Sequence, residues 1–234
     1  MKLCIFIVRW RTYFINDGGS VMIYLFNQVT SFSSEAYIKY LSKARRKQYD
    51  AYKFQINKNI CLIAFLLLRL GLLKEYGIKL GEDIEIEYGI YGKPYLKKYK
   101  DIFFNLSHRK ECVACVISDR EVGIDVETLL KEEHLKIAND VLNVNEMMEF
   151  KKSNNKREVL TRFWTLKECY VKQNGKGLSQ ELQMIDFANS HKENFQLYDK
   201  YFITKQYRLF YIAACSEIPI KEDEINIITN LDLF

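Results

Sequence analysis

From Met22 onward the apolar and polar positions of the chain fall into short, distinct periods. Met22 to Phe26 is a continuous apolar run of strand length. Ser33 or Ser34, ahead of Glu35, offers an N-cap for a helix ending near the basic cluster Arg45-Arg46-Lys47. Ile56 to Tyr76 is apolar almost throughout and is closed by Gly77, which predicts a long buried helix. Asp83 to Ile90 alternates, with Ile84, Ile86, Tyr88 and Ile90 on one side and Glu85 and Glu87 opposite; this is the two-residue period of a half-buried strand, broken by Gly92-Lys93-Pro94. Ile102 to Leu106, Cys112 to Ser118 and Val122 to Glu127 predict three more strands, the last two joined by the polar turn Asp119-Arg120. Asn145 caps a short helix through Phe150, Arg157 to Gln173 forms another ended by Asn174-Gly175, and strand-like composition returns from Phe195 to Cys215. Helices and hairpins mix without regular strand–helix alternation, which predicts an α+β fold and not a doubly wound parallel sheet.

Composition narrows the class. A chain of 234 residues that is 48% hydrophobic buries a substantial core, as one large domain or two compact halves. Lys and Arg outnumber Asp and Glu by 35 to 30, a surplus that suits phosphate-bearing or acidic partners and falls short of a dedicated nucleic-acid binder. The six cysteines sit in apolar stretches and read as reduced, buried thiols of a cytoplasmic protein. Cys112 and Cys115 lie three apart on a strand, on opposite faces, and without a second such pair no zinc site is expected. The longest apolar run, Ile60 to Leu68, is too short to span a bilayer.

Four clusters carry candidate chemistry. In Gly123-Ile124-Asp125-Val126-Glu127 the two acids share one strand face while Ile124 and Val126 point to the core. Adjacent carboxylates repel unless a cation lies between them, so an oxygen-ligated divalent ion is their natural companion, Mg²⁺ if phosphates complete its shell; an exposed strand edge kept soluble by acids is the alternative. Trp164, Glu168 and Lys172 follow at i, i+4 and i+8 on one helical face, adding a third acid and a cation, or an ordinary solvated Glu–Lys pair. Phe104-Asn105-Leu106-Ser107-His108 ends a strand with hydrogen-bonding side chains, where His108 meets a phosphate oxygen or caps the loop before Cys112. Gly92-Lys93-Pro94 sets an amine on a rigid turn, suited to nucleotide phosphates and equally to any surface turn.

The order of these clusters is more specific than any one of them. Gly-Lys-Pro, then Phe-Asn-Leu-Ser-His, then Gly-Ile-Asp-Val-Glu, then the run from Phe163 to Leu178 resembles the surfactin-type 4′-phosphopantetheinyl transferase family, over about Met22 to Cys215. The resemblance implies two similar α/β halves, residues 22–120 and 121–234, packed as an intramolecular pseudo-dimer with coenzyme A between them. It implies a Mg²⁺-dependent enzyme that moves the phosphopantetheine arm of coenzyme A onto a serine of an apo acyl or peptidyl carrier protein. Carried onto this chain, it makes Asp125, Glu127 and Glu168 the Mg²⁺ ligands, with Glu168 also deprotonating the serine. Lys172 then meets the α-phosphate and leaving group, Ser107 and His108 the coenzyme's phosphates, and His108 and Lys172 together neutralise developing charge. Gly92, Lys93 and Pro94 border the adenine and Arg45 faces the 3′-phosphate. Upstream the chain departs from the family, with Gln48 where a second basic residue is usual and Ile60 where an Arg is usual.

Two rival readings remain: a non-catalytic member that grips coenzyme A or a carrier, and a nucleic-acid binder using Arg45 to Lys53 with Tyr49, Tyr52 and Phe54, which leaves the acids unexplained. The expected protein is a monomer without nucleic-acid or membrane partners. Thr128 to Phe150 is more apolar than a solvated connection needs and, with Lys131 and Lys136, is a candidate surface for an acidic carrier; packing of the second half is the alternative. Residues 1–21, where Lys2, Arg9 and Arg11 interrupt an apolar stretch ahead of the breakers Asn16 to Ser20, do not match the family. They are expected to be upstream sequence read through in frame, with the start at Met22; a real extension whose Leu3 to Val8 run adds an edge strand or touches a membrane is the alternative.

Overall fold

The first apolar run becomes strand β1 (Val21–Phe26), whose odd and even residues feed two different cores. The computed structural model describes residues 19–175, 182–229 and 231. The proposed start at Met22 and the Leu3 to Val8 run therefore concern a segment, residues 1–18, that lies outside the described residues, as does the end of the Phe163–Leu178 motif. After β1 come α1 (Lys43–Ala51) and α2 (Gln55–Tyr76), then a hairpin of β2 (Ile86–Tyr88) and β3 (Pro94–Leu96), then β4 (Phe103–Arg109) and β5 (Cys112–Ser118). The second part opens with β6 (Val122–Thr128), continues through α3 (Ala138–Val141), α4 (Val144–Lys152) and α5 (Lys156–Asn174), and closes with β7 (Asn194–Leu197), β8 (Lys200–Tyr207), β9 (Phe210–Ser216) and β10 (Ile225–Ile227).

Two four-stranded sheets result, ordered β10-β1-β5-β4 and β6-β9-β8-β7. Each has a strand, a long helix and a hairpin whose second strand returns antiparallel beside the first: β1, α2, β4–β5 in one, β6, α5, β8–β9 in the other. The α+β class and the likeness of the halves thus follow from connectivity. The passage between sheets falls at Asp119 to Glu121, but β10 crosses back to pair in parallel with β1. Helix α2 covers one face of the first sheet and α5 one face of the second, while the remaining faces meet in a shared core of Val21, Ile23, Val116, Ile124 and Ile212. Cys112 belongs to that shared core and Cys115 to the α2 side, the opposite-face arrangement expected of their spacing. By length and composition α2 is apolar enough to cross a membrane, but most of it is buried against the first sheet.

Three local expectations are corrected. No helix starts at Ser33 or Ser34, because the Ser34 hydroxyl is taken by Tyr49 Oη (3.0 Å) and Gln55 Nε2 (3.2 Å); the chain makes a short 3₁₀ turn at Ile38–Tyr40, and α1 starts instead at the basic cluster, capped by Ser42 accepting from the Arg45 amide. The alternating stretch from Asp83 pairs only over Ile86–Tyr88, since the Gly89 amide bonds Lys93 O (2.9 Å) and Gly92 turns at φ +82°; Ile84 is buried but Ile90 is 97% exposed. Helix α4 is capped by Asn143, not Asn145, in a reciprocal box: Asn143 Oδ1 accepts from the Glu146 amide (2.9 Å) and Glu146 Oε2 from the Asn143 amide (3.0 Å).

The edges of the two sheets meet where β4 runs beside β6. No main-chain ladder joins these strands. Instead Asn105 Oδ1 accepts from the Ile124 amide (3.1 Å) and Ser107 Oγ from the Val126 amide (3.2 Å), so side chains of β4 satisfy buried donors of β6.

Candidate active site

Along β6 the even residues Val122, Ile124 and Val126 enter the shared core, which turns Gly123, Asp125 and Glu127 toward α5. The helix lies almost on the strand. A Cβ at Gly123 would stand 2.1 Å from Cys169 O and 2.5 Å from Gln173 N, both backbone atoms of α5, so only glycine permits the approach. That approach sets Trp164, Glu168 and Lys172 opposite the β6 acids. From behind, α5 is held by Lys167, whose Nζ is fully buried and donates to Glu146 Oε2 (2.5 Å), Val141 O (2.7 Å) and Leu182 O (2.8 Å).

The pairing is specific. Asp125 Oδ1 accepts from Lys172 Nζ (2.6 Å) and from Ser107 Oγ (2.8 Å), while Asp125 Oδ2 is buried without a partner. Glu127 Oε1 accepts from Trp164 Nε1 (3.2 Å) and from Arg109 Nη2, and Glu127 Oε2 from Arg109 Nε (2.5 Å). Glu168 projects into the same open cleft of about 250 Å³, with His108 at its rim. Burial, and then the like charge of Asp125, push the Glu168 carboxyl above its ordinary pKa against the pull of Lys172 and Arg109. His108 moves the other way: partial burial, then Lys172 and Arg109, disfavour its protonated form.

The structure therefore brings Ser107, His108, Asp125, Glu127, Glu168 and Lys172 into one cleft. Ser107 has no capacity left for a phosphate, since its hydroxyl donates to Asp125 and accepts from the Val126 amide and Lys172 Nζ (3.1 Å); it positions Asp125. The other expected coenzyme contacts lie elsewhere. Lys93 Nζ donates to Glu121 and to Gln173 O (2.6 Å), tying the Gly92–Pro94 turn to the C-terminal end of α5. Arg45 is buried over the Phe65 ring, its Nη1 bound to Gln48 Oε1 (2.7 Å), so the residue that stands where the family has a base is the one that holds Arg45. Two participants escaped the sequence reading: Asn105 and Arg109. Their signal was the alternation Asn105, Ser107, Arg109, which sends all three toward β6.

Among the described residues no three ligating side chains form a metal cluster, and Glu127 is engaged by Arg109 and Trp164. The donor set still fits a hard divalent cation. A buried carboxylate oxygen lacks any partner, and a second carboxylate faces it under mutual repulsion.

A carboxylate-and-lysine cleft on the seam of two like halves defines an enzyme of acid–base and phosphate chemistry. A model of the 4′-phosphopantetheinyl transferase superfamily matches residues 121–224. The chain is 30% identical over 191 residues to the 4′-phosphopantetheinyl transferase gsp of Aneurinibacillus migulanus, covering 76% of this chain and 74% of that one. It is 26% identical over 223 residues to a 4′-phosphopantetheinyl transferase of Bacillus subtilis (86% and 96%), and 26% identical over 162 residues to the transferase Sfp of Bacillus subtilis strain 168 (68% and 71%). The chain belongs to the 4′-phosphopantetheinyl transferase superfamily, and its relatives within it are transferases of the surfactin type.

Proposed function

We propose that this protein transfers the phosphopantetheine arm of coenzyme A to a serine hydroxyl of an apo acyl or peptidyl carrier protein, with Mg²⁺ held by Asp125 and Glu168, and by Glu127 once that carboxylate is released. The observation that carries the proposal is the unpartnered, buried Asp125 Oδ2 facing Glu168, beside Lys172. Mg²⁺ at this place supplies charge neutralisation to the diphosphate under attack.

The chain's own groups do the rest. The serine oxygen bonds to the β-phosphorus as the bond from that phosphorus to the bridging oxygen breaks, and adenosine 3′,5′-bisphosphate leaves with the bridging oxygen on its 5′-phosphate; Lys172, 2.6 Å from Asp125, is assigned the negative charge that builds there. The Glu168 carboxylate, in the cleft beside Asp125, is assigned the serine proton. His108, largely neutral at the rim, offers a ring N–H to a phosphate oxygen without adding repulsion to Lys172 and Arg109. Arg45, Gly92, Lys93 and Pro94 are assigned to the adenosine end of the coenzyme, where Lys93 must exchange Glu121 for its ligand. For the carrier surface, most apolar groups of 128–150 are absorbed by packing, Val141, Leu142 and Phe150 among them; Val144 and Met148 remain exposed for a partner.

Intact-mass measurement of several apo carrier proteins, incubated with the protein, coenzyme A and Mg²⁺, tests the proposal. One phosphopantetheine added per carrier, lost on omission of Mg²⁺ and in Glu168→Ala, is expected; coenzyme A binding without any mass gain overturns it.

A further inference from the structure

One strong contact in the cleft is unaccounted for by the transfer reaction, the grip of Arg109 on Glu127. The two partners differ in a decisive respect: the Arg109 side chain is 43% exposed and that of Glu127 4%. Nε and Nη2 of the guanidinium take both carboxylate oxygens side by side, and Trp164 Nε1 adds a third donor. Such a fork is the geometry in which arginine binds carboxylate most firmly. Asp125 contrasts with it, since Lys172 and Ser107 share one oxygen and the other is free.

We propose that Arg109 is a resident competitor for the divalent cation. While its guanidinium grips Glu127, the carboxylates open to a metal are Asp125 and Glu168; Glu127 joins them only when Arg109 withdraws. The inference rests on the divalent-cation reading above. Exposure decides which partner moves. A buried carboxylate stripped of its cation bears a desolvation cost, so Glu127 needs one positive partner at all times. The guanidinium reaches solvent by a rotation of its own stem and loses little hydration on the way. Metal entry is therefore an exchange of one cation for another at Glu127, and Arg109 weakens the affinity of the free protein for divalent ions. Freed, the guanidinium stays at a cleft mouth that already holds His108 and Lys172.

Trp164 reports on this exchange directly, because its indole is bonded to the contested carboxylate. The chain has two tryptophans, so a Trp10→Phe background leaves Trp164 as the sole tryptophan, excited selectively at the red edge beyond tyrosine absorption. Mn²⁺, a paramagnetic quencher, is titrated into this protein without coenzyme A while Trp164 emission is followed. Saturable quenching is expected, with the midpoint moved to Mn²⁺ concentrations on the order of tenfold lower in Arg109→Ala and in Arg109→Gln, as removal of one nearby positive charge requires. A merely structural role for Arg109 loosens the cleft and moves the midpoint upward, so the direction separates the two. Where Arg109→Ala fails to fold, Arg109→Gln, which keeps much of the stem and a hydrogen-bond donor, decides the matter. An unchanged or higher midpoint overturns the competition while leaving the metal site standing. Absence of saturable quenching in the Trp10→Phe parent overturns the metal reading and this proposal with it.

Discussion

Gly123→Ala is the smallest change that tests whether the α5–β6 approach builds the site. The added methyl lies 2.1 Å from Cys169 O, 2.5 Å from Gln173 N and 2.9 Å from Gln173 Cα, all backbone atoms that no side-chain rotation can clear. Ordinary contact begins near 3.4 Å, so helix and strand must part by about 1 Å or more. Overpacking of this kind costs roughly 1–3 kcal/mol of stability, which the large cores on both sides of β6 absorb without unfolding. The functional cost is larger. Opening by about 1 Å carries the Lys172–Asp125 contact from 2.6 Å past the limit of a hydrogen bond and moves Glu168 by as much. Misplacement on that scale costs about a hundredfold in rate, or roughly 2.7 kcal/mol of transition-state stabilisation. Carrier modification followed by mass, alongside a thermal melt, should show a folded, slow enzyme. Gly89→Ala, whose methyl meets only Lys93 O at 3.7 Å, is the control and should change neither. A Gly123→Ala protein with near-normal turnover and an unaltered melt would refute the close packing of α5 on β6.

Breaking the fully buried Lys167–Glu146 pair from one side, by Glu146→Ala or Lys167→Met, should cost about 3–5 kcal/mol in urea unfolding. Glu146→Leu with Lys167→Met should recover only part of it, because the Asn143 and Phe187 amides and the Val141 and Leu182 carbonyls stay unpaired; full recovery in the double variant would contradict this. Ser107→Ala should strand the buried Val126 amide and leave Asp125 Oδ1 to Lys172 alone, costing roughly 1–3 kcal/mol and slowing transfer, with coenzyme A affinity by calorimetry little changed, because the hydroxyl has no spare capacity for phosphate. Asp125→Asn keeps the shape of the side chain but removes the charge that balances Lys172, so transfer should vanish while far-UV circular dichroism stays the same. A substantial rate from that variant would exclude Asp125 as a ligand.

Much of this was legible in the chain because it depends on period. Two acids at Asp125 and Glu127 share a face on any strand, Trp164, Glu168 and Lys172 share one on any helix, and Gly77 and Gly175 end their helices with positive φ. What was not legible depends on competition between partners distant in sequence. Ser34 looked like a cap until Tyr49 and Gln55 claimed its hydroxyl, and Arg45 looked free until Gln48 and Phe65 enclosed it. Strand β10 is three residues long and finds its place only through parallel pairing with β1, which leaves no local signature. Lys93 illustrates a further limit: the motif places an amine on a turn, but only the tertiary fold shows that Glu121 and the end of α5 occupy it.

The seam between β4 and β6 makes activity a measure of association. Each half alone contributes an incomplete set, with Ser107, His108 and Arg109 on one side and the three acids and Lys172 on the other, and at β4 and β6 no main-chain ladder joins them. A chain divided at the turn between Ser118 and Val122 splits these groups between two fragments, each silent alone, that the shared core and the β10–β1 ladder draw together. Once substitutions in that shared core or in β10 make the fragments too weak to join unaided, fusing them to two proteins that meet would give a covalent recorder, the label on each carrier persisting after the pair parts.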